Sequence, residues 1–235
     1  MAAAILALAS GCCLGAQVET LFKTPIISIS PRSVDFGAVR WKRSVTNSIV
    51  VANWGGGRLD LLVNNAGQGR VSTFEATTDA QWREELELKF FSQILPFRAF
   101  RPLLEKSSAP AIVAVNSLLS LQPEPHMVCT SAARAGVQNL LKSLATEFAP
   151  RIRVNTILLG LVDSGQWQRR FDARADKAQT REAWYGALAA DKHIPLARLG
   201  EPEEPARAIV FLGSPAASYI TGASLEVSGG VSRFI

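Results

Sequence analysis

The chain has 235 residues, 48% of them hydrophobic, and a net charge of +5. That length is enough for one large core, so a single domain is expected. Its cysteines, Cys12, Cys13 and Cys129, exclude both a disulfide framework and a zinc site made of two separated cysteine pairs. The basic residues fall in scattered clusters (Arg40, Lys42 and Arg43; Arg151 and Arg153; Arg169 and Arg170) with no interleaved aromatic surface. This pattern reads as a solvated basic face and not as a nucleic-acid surface.

Met1 to Ala16 is apolar and Ala-rich, yet no lysine or arginine precedes the run. It is also shorter than the roughly 20 residues that cross a bilayer, so no export signal and no membrane span are expected. The expectation is a cytoplasmic protein whose first residues form a helix or fray. Pro25 to Ser30, followed by Pro31 to Gly37, reads as a strand and a turn with one glycine. The composition shifts at Gly55-Gly56-Gly57.

Leu59 to Val63 is an unbroken apolar run apart from Asp60, and it stops in Asn64-Asn65-Ala66-Gly67. Such a strand is buried on both faces and opens a ligand crevice at its carboxyl end. Thr78 and Asp79 then cap a helix whose apolar positions, Trp82, Leu86, Phe90, Ile94 and Phe97, are expected to face the core; Pro96 and Pro102 bend or end it. A second buried strand, Ala111 to Val115, carries Asn116 and Ser117 at its end, on the same sheet edge as Asn65. After the loop Gln122 to His126 comes a helix with Ala133, Val137, Leu140, Leu141, Leu144 and Phe148 on one face, and then a third strand, Ile152 to Leu158. Strand and helix alternate, which predicts an α/β fold, a Rossmann-like doubly wound parallel sheet with helices on both faces.

These residues resemble the short-chain dehydrogenase/reductase family from about Gly57 to the C-terminus. The resemblance is carried by the Asn64-Asn65-Ala66-Gly67 turn, by Ser117 at a strand end and by Arg153-Val154-Asn155 before a glycine turn. It continues in Ile194 to Glu204, in Tyr219-Ile220-Thr221-Gly222-Ala223 and in Val227-Ser228-Gly229-Gly230. On this basis residues 1–57 are expected to be a divergent or truncated N-terminal part of the Rossmann half and residues 58–235 the family core, one domain overall.

The resemblance implies a serine, a tyrosine four residues before a lysine, and a helix asparagine, all brought to a nicotinamide cofactor. Only the serine, Ser117, matches. Thr130 stands where the tyrosine belongs, Arg134 where the lysine belongs, and Lys89 where the asparagine is expected. An aliphatic hydroxyl is a far weaker acid than a phenol, whose pKa is about 10. Arg134 keeps a positive charge and can still hold ribose hydroxyls. His126, just before Thr130, is the candidate replacement for the proton donor. Tyr185 lies in the region the family uses as a substrate lid. Cys129 reads as a buried structural thiol. Asn65, Ala66, Gly67 and Arg134 are expected to line the cofactor, as are Gly160, Val162 and Ser164, although Leu159 replaces the family's proline.

The resemblance also implies a glycine-rich phosphate turn near the start, and none occurs between Met1 and Gly57. Either the start of the gene has been lost or rearranged, or ordinary dinucleotide binding has been abandoned. The leading expectation is an oxidoreductase that uses NAD or NADP on a small alcohol or carbonyl substrate. One rival is a catalytically silent binding or scaffold protein on the same fold; another is a lyase or dehydratase that uses the pocket without hydride transfer. The resemblance further implies a homodimer or homotetramer paired through helices near residues 79–104 and 130–148.

Overall fold

The computed structural model describes residues 4–8, 49–53, 57–65, 67–174 and 177–233. One sheet runs through it in sequential order, from Ala4–Leu8 (β1), Ile49–Asn53 (β2) and Leu61–Asn64 (β3) to Ala111–Ser117 (β4), Arg153–Leu159 (β5) and Ser224–Val227 (β6). β3, β4, β5 and β6 are parallel, as the alternation of strands and helices predicts. The expected all-parallel sheet needs correction at one side, where β2 pairs antiparallel with β3 and β1 antiparallel with β2. Asn53 and Leu61 are too close in sequence for the crossover of a dozen or more residues that a parallel pair requires, so β2 and β3 join as a hairpin. Ala4–Leu8 is a strand, where the first residues were expected to form a helix or fray. The strand and turn expected over 25–37, Cys12 and Cys13 all lie outside the described residues.

The helices are Asp79–Leu86 (α1), Ser92–Leu104 (α2), Val128–Phe148 (α3), Gly165–Ala173 (α4), Arg181–Asp191 (α5) and Glu203–Gly213 (α6). α2 and α3 cover one face of the sheet, where Phe97, Phe100, Leu104, Val137, Leu141 and Ala145 pack on Leu62, Ile112, Ala114 and Val154. α6 covers the other, with Ala206, Ile209 and Leu212 against Leu61, Val63, Val113 and Ile157. Successive strand residues thus enter opposite cores, which is why Leu61-Leu62-Val63 is apolar without alternation. No helix among the described residues is long and apolar enough to cross a membrane.

The family-like Arg153-Val154-Asn155 motif fastens the C-terminal segment to the sheet. Arg153 donates from Nη1 to Leu212 O at 2.7 Å and from Nη2 to Ser214 O at 3.1 Å, satisfying carbonyls at the end of α6. Asn155 donates to Ile220 O at 2.9 Å and accepts from Ala223 N at 3.0 Å.

α1 begins with a full capping box between Thr78 and Gln81. Between α1 and α2 the chain makes a π-helical turn, Glu87–Phe91, ahead of Pro96, which lies within α2. Of the residues at helical spacing, Phe97 is buried and Phe90 packs against the same core, whereas Leu86 is exposed and Glu85, Leu88 and Lys89 are buried in its place.

Candidate functional site

The carboxyl ends of β3, β4 and β5 lie side by side in register, Asn64 level with Ala114 and Ser117 level with Leu159. A crevice for ligand at this edge is what a parallel sheet provides. Ser117 caps the short 3₁₀ turn Leu118–Ser120: its Oγ accepts from Leu119 N at 3.2 Å while its carbonyl accepts from Ser120 Oγ at 2.8 Å. Among the described residues no acceptor takes the hydroxyl proton of Ser117.

Arg134 extends from α3 toward the strand ends. Its Nη1 donates to Asn116 Oδ1 at 3.1 Å, and Asn116 in turn donates to Arg134 O and Gln138 Oε1, each at 3.1 Å. Asn116, to which the sequence reading assigned no role, thus holds the guanidinium through Oδ1 while its amide nitrogen is fixed on α3. Arg134 Nε is buried without a hydrogen-bond partner among the described residues. Burial pulls the Arg134 guanidinium down to about 10, and the Glu85 carboxylate opposes the shift.

Thr130 is fully buried, with 0% exposure. Its Oγ1 donates to Glu85 Oε1 at 2.6 Å and accepts from Arg70 N at 3.1 Å. Lys89, only 3% exposed, donates to Gln68 O at 2.6 Å and pairs with the same Glu85 oxygen at 3.1 Å. Arg70 stands farther off, with Nε at 3.9 Å from Glu85 Oε2, and binds Glu84 at 2.8 Å. Glu85 is therefore the buried anion among three cationic side chains and a hydroxyl. Burial first, and then the nearby Arg134 charge, lower the Lys89 ammonium to about 8, while Glu85 works to raise it. Sequence reasoning missed Glu85; the available signal was its place four residues before Lys89, the spacing of a helical ion pair.

The remaining expected site residues are distributed around this cluster. His126 is exposed in the loop before α3, where its carbonyl accepts from Ser72 N at 2.9 Å. Asn65 is half-buried and Gly67 exposed after β3, and Ala66 lies outside the described residues. Gly160 follows β5 and is packed against β6: a Cβ there would meet Ser228 Cα at 2.8 Å. Val162 is buried and bridges to Gly200, and Ser164 is the N-cap of α4. Beyond them Asp163 accepts from Tyr185 OH at 2.7 Å and pairs with Arg181, tying α5 to the end of β5; the Tyr185 ring also lies tilted against Trp184, 5.5 Å between centroids. Cys129 is buried against Ser72 Oγ at 3.1 Å.

Comparison with known proteins agrees with this architecture. The family model described as enoyl-(acyl carrier protein) reductase matches residues 39–232. Among solved structures, the NADPH-bound form of a short chain oxidoreductase from Pseudomonas aeruginosa PAO1, described as containing an atypical catalytic center, is 61% identical with a TM-score of 0.72, covering 76% of this chain and 68% of that one. L-sorbose reductase from Gluconobacter frateurii, solved with NADPH and L-sorbose, is 30% identical with a TM-score of 0.71 and the same coverage. Of curated proteins, an oxidoreductase of Schizosaccharomyces pombe is 34% identical over 180 residues, 74% of this chain and 65% of its own length. The 3-oxoacyl-[acyl-carrier-protein] reductase of Vibrio harveyi is 32% identical over 176 residues, 74% of this chain and 67% of its own. The chain thus spans about two thirds of the length of the relatives it matches. With the strand-end serine, the active-site helix and the parallel sheet in place, the chain belongs to the short-chain dehydrogenase/reductase family.

Proposed function

We propose that this protein is an NAD(P)-dependent oxidoreductase acting on a small alcohol or carbonyl compound. The observation that carries the reading is Arg134, held by Asn116 beside Ser117, with a buried Nε that lacks a partner. A buried N–H left unpaired costs roughly 1–3 kcal/mol, and a ribose hydroxyl is a group that would relieve it. The residues present therefore fit the ribose end of a nicotinamide dinucleotide. Asn65 and Gly67 line the same side, and Gly160, Val162 and Ser164 sit at the next strand end. The NADPH-bound relatives support this assignment.

When bound, the nicotinamide supplies or accepts the hydride. Ser117 donates a hydrogen bond from its hydroxyl to the substrate oxygen and orients it. Thr130 anchors α3 to Glu85, and Arg134 holds the ribose without titrating near neutral pH. Residues 58–235 carry all of these groups.

Thr130, fully buried with its hydroxyl committed to Glu85, leaves the site without a phenol, and this favours a second reading, a cofactor-binding protein that does not turn over. One experiment separates them: titration with NADH and NADPH, read by energy transfer from tryptophan to the nicotinamide, followed by a panel of ketoses and 3-oxoacyl thioesters with the reduced cofactors and of polyols with the oxidised ones. Saturable binding with hydride transfer is the expected result. Binding without turnover selects the second reading, and no binding by folded protein at millimolar cofactor overturns both.

A further inference from the structure

We propose that the buried Glu85–Lys89 pair is the proton source of this site, with Lys89 the acid and Glu85 the positioning residue that holds it; the role rests on the oxidoreductase reading above. The two side chains come from α1 and the π-helical turn and are 1% and 3% exposed; Lys89 contacts the loop after β3 at Gln68 O, Glu85 contacts α3 at Thr130, and the Arg134 charge is near. Burying two charges is costly, so a pair in this place calls for a role beyond packing.

The geometry supplies one. Two of the three N–H groups of the Lys89 ammonium are used, one on Gln68 O and one on Glu85, and no partner among the described residues takes the third. Gln68 follows Gly67, the residue that lies against Arg134, so the ammonium sits next to the proposed cofactor-holding group. Thr130 explains why Glu85 is there: a side chain shorter than tyrosine lets the carboxylate approach within 2.6 Å of its hydroxyl. The departures from the family pattern at 89, 130 and 134 therefore form one interlocked unit with Glu85 at its centre.

The charged and titratable groups facing Lys89 are Glu85 from α1 and Arg134 and Cys129 from α3. Burial and Arg134 bring the ammonium to about 8, close to a working pH, where a general acid is most effective. Glu85 opposes them and keeps the proton on the nitrogen. In reduction, hydride from the reduced nicotinamide reaches the carbonyl carbon and the C=O electron pair moves to oxygen. That oxygen takes a proton from Lys89 Nζ, the N–H pair stays on nitrogen, and a solvent proton restores the ammonium.

The test combines two readouts. In cofactor-free protein labelled with ε-¹³C lysine, NMR should show one lysine with a midpoint near 8, absent from Lys89→Met and lowered by about one unit or more in Glu85→Gln. In turnover, the reductive rate should fall as pH rises through the same midpoint. Lys89→Met should lose roughly 10²- to 10⁴-fold in rate together with that limb, while NADPH affinity by fluorescence stays within a few-fold. Lys89→Arg keeps the charge but cannot release a proton, so its rate should remain low. A Lys89 titrating like a surface lysine, or a Lys89→Arg protein as fast as the original, overturns the proposal. If the unmodified protein reduces no carbonyl, the oxidoreductase reading fails by itself, and the NMR result still decides whether Glu85 holds the Lys89 proton.

Discussion

The Arg134 guanidinium lies so close to Gly67 that a Cβ built on the glycine would meet Nη2 at 3.3 Å. The loop after β3 and the active-site helix are therefore fitted to each other at the point where the cofactor ribose is proposed to bind. Arg134→Met should weaken NADPH binding roughly 10- to 100-fold, the worth of one or two charge-assisted hydrogen bonds, with little change in the circular dichroism spectrum. Gly67→Ala should weaken binding less, because the guanidinium must give way by only a few tenths of an ångström.

Stability should carry the imprint of Lys89. Its folded pKa of about 8 lies below the unfolded value of 10.5, so above about 8 the unfolded state binds more protons than the folded one. The cost of burying the ammonium is present at neutral pH and is relieved as pH rises from about 8 to 10.5, by at most roughly 3.4 kcal/mol. Urea unfolding of the original protein and of Lys89→Met across this range measures it. The stability difference between them should shift in favour of the original protein as pH rises, and a pH-independent difference would contradict the burial of a charged Lys89.

Restoring the family's tyrosine should not restore a typical site. Thr130 is fully buried and in contact with Glu85, so Thr130→Tyr inserts a ring where the carboxylate now sits. A loss of about 1–3 kcal/mol is expected from overpacking, more if Glu85 loses its partners, and it is read as a lowered melting temperature.

Two positions shared with the family should prove structural. Gly160→Ala brings a methyl to 2.8 Å from Ser228 Cα, a backbone atom that cannot swing aside, and should cost about 1–3 kcal/mol by separating the ends of β5 and β6. Arg153→Met removes the bonds to Leu212 O and Ser214 O at the end of α6 and should cost a similar amount, about 1.5–3 kcal/mol. Thermal unfolding measures both; neither change should alter the pH dependence of turnover.

Much of this was legible in the residue order. Leu61 to Asn64, Ala111 to Ser117 and the run beginning at Ile152 declare themselves as buried parallel strands because both of their faces must be apolar. Val128–Phe148 shows as one long helix because its apolar residues keep the 3.6-residue period throughout. These features depend on local periodicity, which a sequence displays directly. Ser117 stands at a strand end that the sequence shows, but its role and that of Arg134 came from the resemblance to the family.

The direction of β2, the strand at Ala4–Leu8 and the centre of the site were settled only in three dimensions. The spacing of Trp82, Leu86, Phe90 and Ile94 points to an ordinary amphipathic helix, but the buried face of this segment also takes in Glu85 and Lys89, while Leu86 is exposed. Whether a glutamate and a lysine can be buried depends on partners distant in sequence, Thr130, Arg134 and the Gln68 carbonyl, and periodicity says nothing of those. The sequence by itself determined a parallel α/β core with a serine and a cation at its open edge, because burial period and strand ends are local properties. The tertiary structure alone decided which charges share that edge, because the cost of burying a charge is set by the groups the fold brings around it.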